Sequence, residues 1–335
     1  MRKPYIAVNA RSMALYTTGM ERYAREITRR LPSSVELVAP SRPTYGLQGH
    51  LWEQTVLPYR ARAAGVLWSP ANSGPLLCRN HVVTLHDAAV FDHPEWFSPS
   101  LSLWYRTVLR SVISSATLIL TDSQFSKARI LAHFDSLDDR VIVIPPGVSS
   151  EPSRVLPPQR SVYAVAYGGS NPRKNTSALF AAWPYVRECL PDVRLKVFGF
   201  SSAAYARQVE VTRPEGVDLL GYVPDSTVDS LMRNASLLIY PTQYEGFGLP
   251  PLEAMRFGVP SVVSDIPVLH EIYGDTVLYC DHNDPTSIAT QAVAALSSDT
   301  LRDQVLRGSA PLLEFYTWDR TAREVFRALV KVVDG

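Results

Sequence analysis

The chain has 335 residues, 46% of them apolar, and a formal net charge of +1. That length is long for one core and predicts two domains, while the near-neutral balance excludes a dedicated nucleic-acid binder, whose phosphate contacts need a clear basic excess. Cys78, Cys189 and Cys280 are scattered, odd in number and without a CxxC pair, which excludes a disulfide framework or a cysteine zinc site and fits a reducing cytosol.

The first residues, MRKPYIAVNARSM, hold a short apolar run broken by Asn9 and Arg11, unlike the hydrophobic region of a signal peptide. Candidate strands follow at 5–10, 35–40, 81–87, 117–122 and 141–147, with amphipathic helical patterns at 20–31 and 102–116. Apolar runs alternating with helical patterns predict a parallel sheet covered by helices. The segment SSEPSRVLPPQR (149–160) is polar and carries three prolines, and reads as a linker. The alternation then restarts with strands at 161–169, 193–200, 217–223, 236–242, 261–265 and 276–281. Helices are expected at 176–190, up to about 235 and from about 250, with a capped amphipathic helix at 318–335. No apolar run reaches the ~18 residues of a membrane span. Residues 1–157 hold 17 Lys plus Arg against 12 Asp plus Glu, and the remainder 16 against 20. A basic first half suits a domain that meets something anionic.

The segment YPTQYEGFGLPPLEAMRFGVPSVVSD (240–265) places Glu245 and Glu253 around a strand-to-helix turn. Pro250 and Pro251 suit the first turn of a helix and Gly258 its end. Gly246 and Gly248 let backbone N–H groups approach an oxygen-rich ligand, and a carboxylate one turn into the helix is a strong acceptor for paired sugar hydroxyls. Ligands of open α/β sheets bind at this end of the strands.

The Glu, seven residues, Glu spacing in EGFGLPPLEAM, followed by GVPSVVSDIPVLHEI, resembles the retaining glycosyltransferases of family four, most closely over residues 161–281. The resemblance implies an α/β GT-B fold: two doubly wound Rossmann-like domains with a cleft between them. It implies an N-terminal acceptor-binding domain (1–155), a C-terminal nucleotide-sugar domain (156–316) and a C-terminal helix (317–335) that packs back on the first. Glu253 would then hold the ribose hydroxyls, and Glu245 with the backbone of Gly246, Phe247, Gly248 and Leu249 the donor sugar and diphosphate. In GGSNPRKN (168–175), Arg173 and Lys174 take the place of the family's diphosphate clamp. Cations fixed there stabilise the charge that builds on a departing nucleoside diphosphate. Many relatives carry an Arg where this chain has Gly168. In TTGMERY (17–23), Gly19 opens a helix that would face the diphosphate, with Glu21 in place of the family's second glycine. His86 ends the strand of TLHDAAVFDHPEWF (84–97) and would donate a hydrogen bond to the donor sugar or leaving phosphate; Asp87 beside it is expected among the donor-binding residues, with orientation of that loop as the alternative. Base contacts are expected from the backbone near Tyr222 and Val223. His93, His133, His270 and His282 are read as structural.

The acidic clusters DSLDD (135–139) and DHND (281–284) read as a surface turn and as a helix start with Asp284 at the N-cap. With Arg173 and Lys174 at hand, neither metal nor cofactor is required. The resemblance implies a hexosyltransferase, with mannose and GDP-mannose as the first expectation and UDP- or dTDP-sugars as alternatives. It would act on a saccharide or lipid-linked saccharide acceptor for bacterial surface polysaccharide such as lipopolysaccharide. It would be cytoplasmic, with peripheral contact between its basic first half and the anionic inner face of the cell membrane. The rival readings are a nucleotide-sugar epimerase of the same architecture and a non-catalytic sugar-binding protein. A dinucleotide oxidoreductase would need G-x-G-x-x-G after a first strand, which neither domain has.

Overall fold

The computed structural model describes residues 6–14, 19–44, 46–134, 137–149, 163–169, 171–199 and 212–335. The expected linker at 149–160 lies outside them from residue 150 onward. The chain divides into two compact units. The first comprises Met1–Asp92, Ser100–Gly147 and Tyr316–Gly335, and the second His93–Pro99 and Val148–Phe315.

The first unit is built on strands β1 (Ile6–Asn9), β2 (Val35–Val38), β3 (Val66–Ser69), β4 (His81–Thr84), β5 (Leu118–Thr121) and β6 (Val141–Val143). They form one parallel sheet in the order β2-β1-β3-β4-β5-β6. The inner strands β1, β3 and β4 are buried at every position, as expected where helices cover both faces. Edge strands β2 and β6 expose Leu37 and Ile142. On one face the Gly46–Arg60 helix packs Leu57 against Ala7, Val38 and Leu67.

Sequence reading misses both β3 and this helix. Pro58 interrupts the helical pattern, and Leu51, Val56 and Tyr59 lie exposed on the outer surface, so the apolar period does not mark the buried face. The helix expected at 102–116 runs over Pro99–Ser115, with a π-turn at Tyr105–Leu109.

The last helix, Trp318–Asp334, belongs to the first unit. Its N-cap, Thr317, accepts from the Arg320 amide. Trp318 is 2% exposed with its ring 6.1 Å from that of Tyr23, and Thr321 donates to the Pro145 carbonyl at 2.8 Å. A Cβ on Gly147 would lie 2.2 Å from the Thr317 carbonyl carbon, so only glycine admits the helix start this close.

A buried polar cluster marks the switch point of this sheet, where β1 has neighbours on both sides. Glu53 Oε1 accepts from Asn9 at 2.7 Å and Ser73 at 2.8 Å, with Arg11 Nε at 3.0 Å. Burial would raise the Glu53 carboxyl, but a bond from His50, the Arg11 charge and the bonds from Asn9 and Ser73 outweigh it and hold it at about 2.

The second unit repeats the plan with β7 (Tyr163–Tyr167), β8 (Arg194–Phe198), β9 (Val217–Gly221), β10 (Leu237–Tyr240), β11 (Ser261–Ser264) and β12 (Leu278–Cys280). Their parallel order is β12-β11-β10-β7-β8-β9, the dinucleotide-fold order 3-2-1-4-5-6 when β7 is counted first. The Thr176–Cys189 and Pro285–Ser297 helices share one core with this sheet through Trp183, Val186, Ile288 and Ala292. Both architectures agree with the expected pair of doubly wound domains.

Glu53→Gln is expected to destabilise the protein by about 3 kcal/mol at neutral pH, from a carboxyl held roughly 2.5 pKa units below its ordinary value. Because that pKa is depressed, the contribution is complete above pH 4.5 and fades as pH falls towards 2. Urea titrations of both proteins at pH 7 and pH 3 check this: the gap narrows in acid, and a gap that is constant or grows refutes it.

Candidate active site

In the second sheet the strand order reverses between β7 and β10, which lie side by side. Ligands of open α/β sheets bind at such a point, beyond the carboxyl ends of the strands. The loop after β7 carries Arg173 and Lys174, and the loop after β10 carries Glu245.

Each loop has its own local cause. Asn171 caps the Pro172–Lys174 3-10 turn by accepting from the Arg173 amide, and Asn175 leaves it in the left-handed region at φ 53°. Asparagine tolerates that conformation. A Cβ on Gly168 would lie 2.5 Å from Val197 Cγ1, so a larger residue here requires the Val197 side chain to shift. The loop after β10 ends where Pro250 and Pro251 open the Pro250–Arg256 helix, and Gly258 at φ +65° closes it, as the sequence predicts. The two loops are stitched together: the Gln243 amide donates to the Arg173 carbonyl at 2.7 Å.

Glu245 is 5% exposed and sits at the centre. Its Oε1 accepts from Lys174 Nζ at 2.8 Å and from the Tyr240 hydroxyl at 2.5 Å. The Thr242 hydroxyl is 2.9 Å from the same oxygen and 2.8 Å from the Arg173 carbonyl, between which it shares a single proton. Lys174 also donates to Tyr240 at 2.8 Å, and Arg173 Nη2 stands 3.9 Å from Oε2. Burial would raise this carboxyl, but Lys174 and Arg173 and the bonds from Lys174 and Tyr240 hold it at about 2. Burial and the Glu245 charge push the Tyr240 phenol the other way, so it stays a donor. Glu245 is therefore an ionised acceptor at neutral pH, with no proton to give.

Glu253, 7% exposed, lies in the first turn of the Pro250–Arg256 helix and accepts from the Tyr167 hydroxyl at 2.8 Å. Between the two glutamates the chain is buried through Gly246, Phe247 and Gly248, and Leu249 precedes the helix. Gly248 has φ +89°, a Cβ there would meet Leu269 at 2.7 Å, and its carbonyl accepts from Tyr273. Tyr222 and Val223 follow edge strand β9, which lies two strands from β7 in the sheet; at that end Gly168 donates to the Phe198 carbonyl and Gly199 to the Gly221 carbonyl. The second unit thus gathers Arg173, Lys174 and Glu245 directly, and Glu253 through Tyr167.

Gly19, His86 and Asp87 belong to the first unit. Gly19 begins the Gly19–Thr28 helix, is exposed, and would meet nothing within 4 Å if it carried a Cβ. Residues 15–18 lie outside the described residues. Asp87 accepts from the Ala89 amide, orienting its loop. His86, expected to reach the donor, has protein partners on both ring nitrogens. Its Nδ1 faces Asp122 Oδ2 at 2.8 Å and its Nε2 the Pro70 carbonyl at 3.0 Å, which occupies both ring nitrogens within the protein. Burial alone would lower its pKa, yet Asp122 and the Pro70 carbonyl raise it. The cause is the buried Asp122 charge, which needs a partner. Of the other histidines, His93 stacks on Trp96 at 3.9 Å with Tyr244 edge-on, His133 pairs with Asp92, and His270 pairs with Asp265 and stacks on Tyr279.

Sequence reasoning missed Tyr167, Tyr240 and Thr242. The available signal was a tyrosine at the end of each of two buried strands, since a buried phenol needs a polar partner. Asp284 caps the Pro285–Ser297 helix as expected, and Asp138 and Asp139 lie in a 3-10 turn. Among the described residues, no three His, Cys, Asp or Glu side chains gather as a metal site, and no helix is long and apolar enough to cross a membrane.

Residues 150–307 match the family of glycosyl transferases group 1. The O-antigen chain mannosyltransferase B of Escherichia coli is 33% identical over 264 residues, spanning 74% of this chain and 69% of that protein. This chain belongs to the glycosyl transferase group 1 family. The glycosyltransferase is also similar to the phosphatidyl-myo-inositol mannosyltransferase of Mycobacterium leprae, 27% identical over 336 residues covering 90% of this chain and 89% of the relative. Its fold matches that of Anabaena Alr3699/HepE, solved with UDP and glucose, at a TM-score of 0.75 with 15% identity over 98% of this chain and 100% of the other. The enzyme therefore has the GT-B fold and transfers sugar.

Because Glu245 is held near 2, the glycosyltransferase's pH profile of kcat/KM is expected to show no acid limb from this carboxylate between pH 4.5 and 7. Replacing Lys174 by Met removes the first cation that depresses it, and a limb should then enter that range. A limb present in the wild type and unmoved by Lys174→Met would contradict the assignment.

Proposed function

We propose that the enzyme is a retaining hexosyltransferase that moves mannose from GDP-mannose onto a saccharide acceptor, lipid-linked, in cell-surface polysaccharide synthesis. The observation that carries the reading is the buried cluster of Lys174, Arg173 and Glu245 at the β7/β10 switch point, with Glu253 in the adjoining helix. Two fixed cations beside an ionised carboxylate suit a nucleoside diphosphate leaving a sugar. Lys174 and Arg173 meet the charge that grows on the phosphate, Glu245 accepts from a hydroxyl of the sugar, and Glu253 accepts from the ribose. The backbone of Gly246, Phe247, Gly248 and Leu249 spans the distance between them, and Tyr222 and Val223 flank the base.

Glu245 is a poor nucleophile, because Oε1 is taken up by Lys174 and Tyr240 and its basicity is depressed. That supports a front-face displacement in which the leaving phosphate deprotonates the acceptor hydroxyl as the new glycosidic bond forms on the same face. Arg173 and Lys174 supply the positive charge for this step, so the reading is metal-independent. Mannose as the sugar rests on the E. coli and M. leprae relatives, both named mannosyltransferases. His86 acts from the first unit only if it exchanges one of its internal bonds. The basic first half supports peripheral contact with an anionic membrane face. Sedimentation with anionic vesicles at low and high salt tests that contact, and no binding at either removes it.

Melting shifts with GDP, UDP and dTDP, followed by product formation from GDP-mannose, UDP-glucose and dTDP-glucose, test the donor, and GDP is expected to give the largest shift. Glu253→Ala should weaken nucleotide binding by about ten- to a hundredfold while turnover at saturation stays near wild type. Glu245→Ala should lower turnover by about 10²–10³ with nucleotide binding retained. The reverse pattern would overturn the two roles.

A further inference from the structure

Tyr167 and Tyr240 are the last residues of β7 and β10, the neighbouring strands whose loops build the site. The register sets Leu237 opposite Ala164 and Leu238 opposite Val165, and carried forward it brings Tyr240 level with Tyr167. Each hydroxyl reaches a different carboxylate: Tyr167 donates to Glu253 Oε2 at 2.8 Å, and Tyr240 to Glu245 Oε1 at 2.5 Å. The two rings meet nearly perpendicular, at 6.4 Å and 80°. Phe198 holds the Tyr167 ring at 4.6 Å, and Lys174 Nζ lies 4.8 Å above the Tyr240 ring.

We infer that Tyr167 and Tyr240 form a paired positioning device, in which two sheet-anchored phenols fix the orientation of Glu253 at the nucleoside end and of Glu245 at the sugar end. The inference rests on the donor-site reading above and deepens it. A glutamate side chain has three rotatable bonds, and holding it in one geometry costs rotamer entropy. A tyrosine has two, and these are locked by edge-to-face packing on a sheet. A donor hydroxyl carried on such a ring therefore selects one carboxylate orientation, while each carboxylate oxygen keeps further lone pairs for a ligand. Packing alone would be served by phenylalanine at both positions; the hydroxyls are needed only to reach the carboxylates. Since the strands are hydrogen-bonded neighbours, the spacing of the two carboxylates is set by the sheet rather than by the intervening loop. Tyr240 also accepts from Lys174, so it orients the first cation of the clamp together with Glu245.

The test pairs Tyr167→Phe and Tyr240→Phe with Glu253→Ala and Glu245→Ala. GDP and UDP binding is followed by calorimetry, and hydrolysis of whichever of GDP-mannose and UDP-glucose the wild type turns over is followed by diphosphate release. Tyr167→Phe should weaken binding of that diphosphate about tenfold and leave kcat within twofold. Tyr240→Phe should lower kcat at least tenfold, with diphosphate binding weakened several-fold less than kcat. A merely structural role would lower melting temperature and move binding and kcat together in both variants, which overturns the inference. So does wild-type behaviour of both Phe variants while the two Ala variants are impaired. If the Ala variants are themselves unimpaired, the donor-site reading fails instead. Should Tyr240→Phe not fold, Tyr167→Phe decides: binding weakened at unchanged kcat supports the device, and any other pattern refutes it.

Discussion

Burying a carboxylate costs several kcal/mol unless cations and donors surround it, and at Glu245 the surrounding is supplied by two loops that are distant in sequence. Lys174 comes from the turn after β7, Tyr240 from the end of β10, and Arg173 stands farther off on the second oxygen. Once these are assembled, the carboxylate, the ammonium and the phenol hold one another, and the loops that carry them have little freedom left. The Gln243 amide on the Arg173 carbonyl and the Asn175 side chain on the His282 carbonyl extend the same tie into the backbone. The cluster is therefore part of the unit's folding energetics and not a decoration on it.

Topology explains why these loops meet. In a sheet ordered β12-β11-β10-β7-β8-β9, the chain leaves β7 towards one edge and later returns to lie beside it as β10. The loops after these two strands diverge at such a reversal, and the glycosyltransferase carries Arg173 and Lys174 after β7 and its two glutamates after β10. The first unit follows the same rule with other residues. Asn9, Arg11, Glu53 and Ser73 gather at its own reversal point, in a closed polar cluster beside β1 and β3. The last helix completes that unit by setting Trp318 against Tyr23 and Thr317 against Gly147, where a side chain would not fit.

Much of this was legible before the structure. The two carboxylates, the Pro250–Pro251 helix start, the Gly258 stop and the Asp284 cap are local signals, in which type and spacing over a few residues fix the geometry. Most strands were legible because buried parallel strands are continuous apolar runs. What escaped was long-range or concealed. The Tyr167 bond to Glu253 and the Lys174 bond to Glu245 join residues 86 and 71 positions apart, and only strand order reveals the first. His86 was read from its place at a strand end, whereas its state is set by Asp122, 36 residues on. β3 is a four-residue run, and the Gly46–Arg60 helix contains a proline and carries apolar side chains on its outer surface. In both cases the tertiary environment decides, not the local pattern.

Lys174 and Glu245 hold one another across the two loops at 2.8 Å, and the proposed transfer uses them as one unit. A double-mutant cycle tests it most directly, with turnover of GDP-mannose measured for wild type, Lys174→Met, Glu245→Gln and the double variant. Groups that work as a unit are lost together, so the double variant should be no slower than the slower single variant. Losses that multiply, each substitution slowing the enzyme by the same factor whether or not the other is present, would contradict the account.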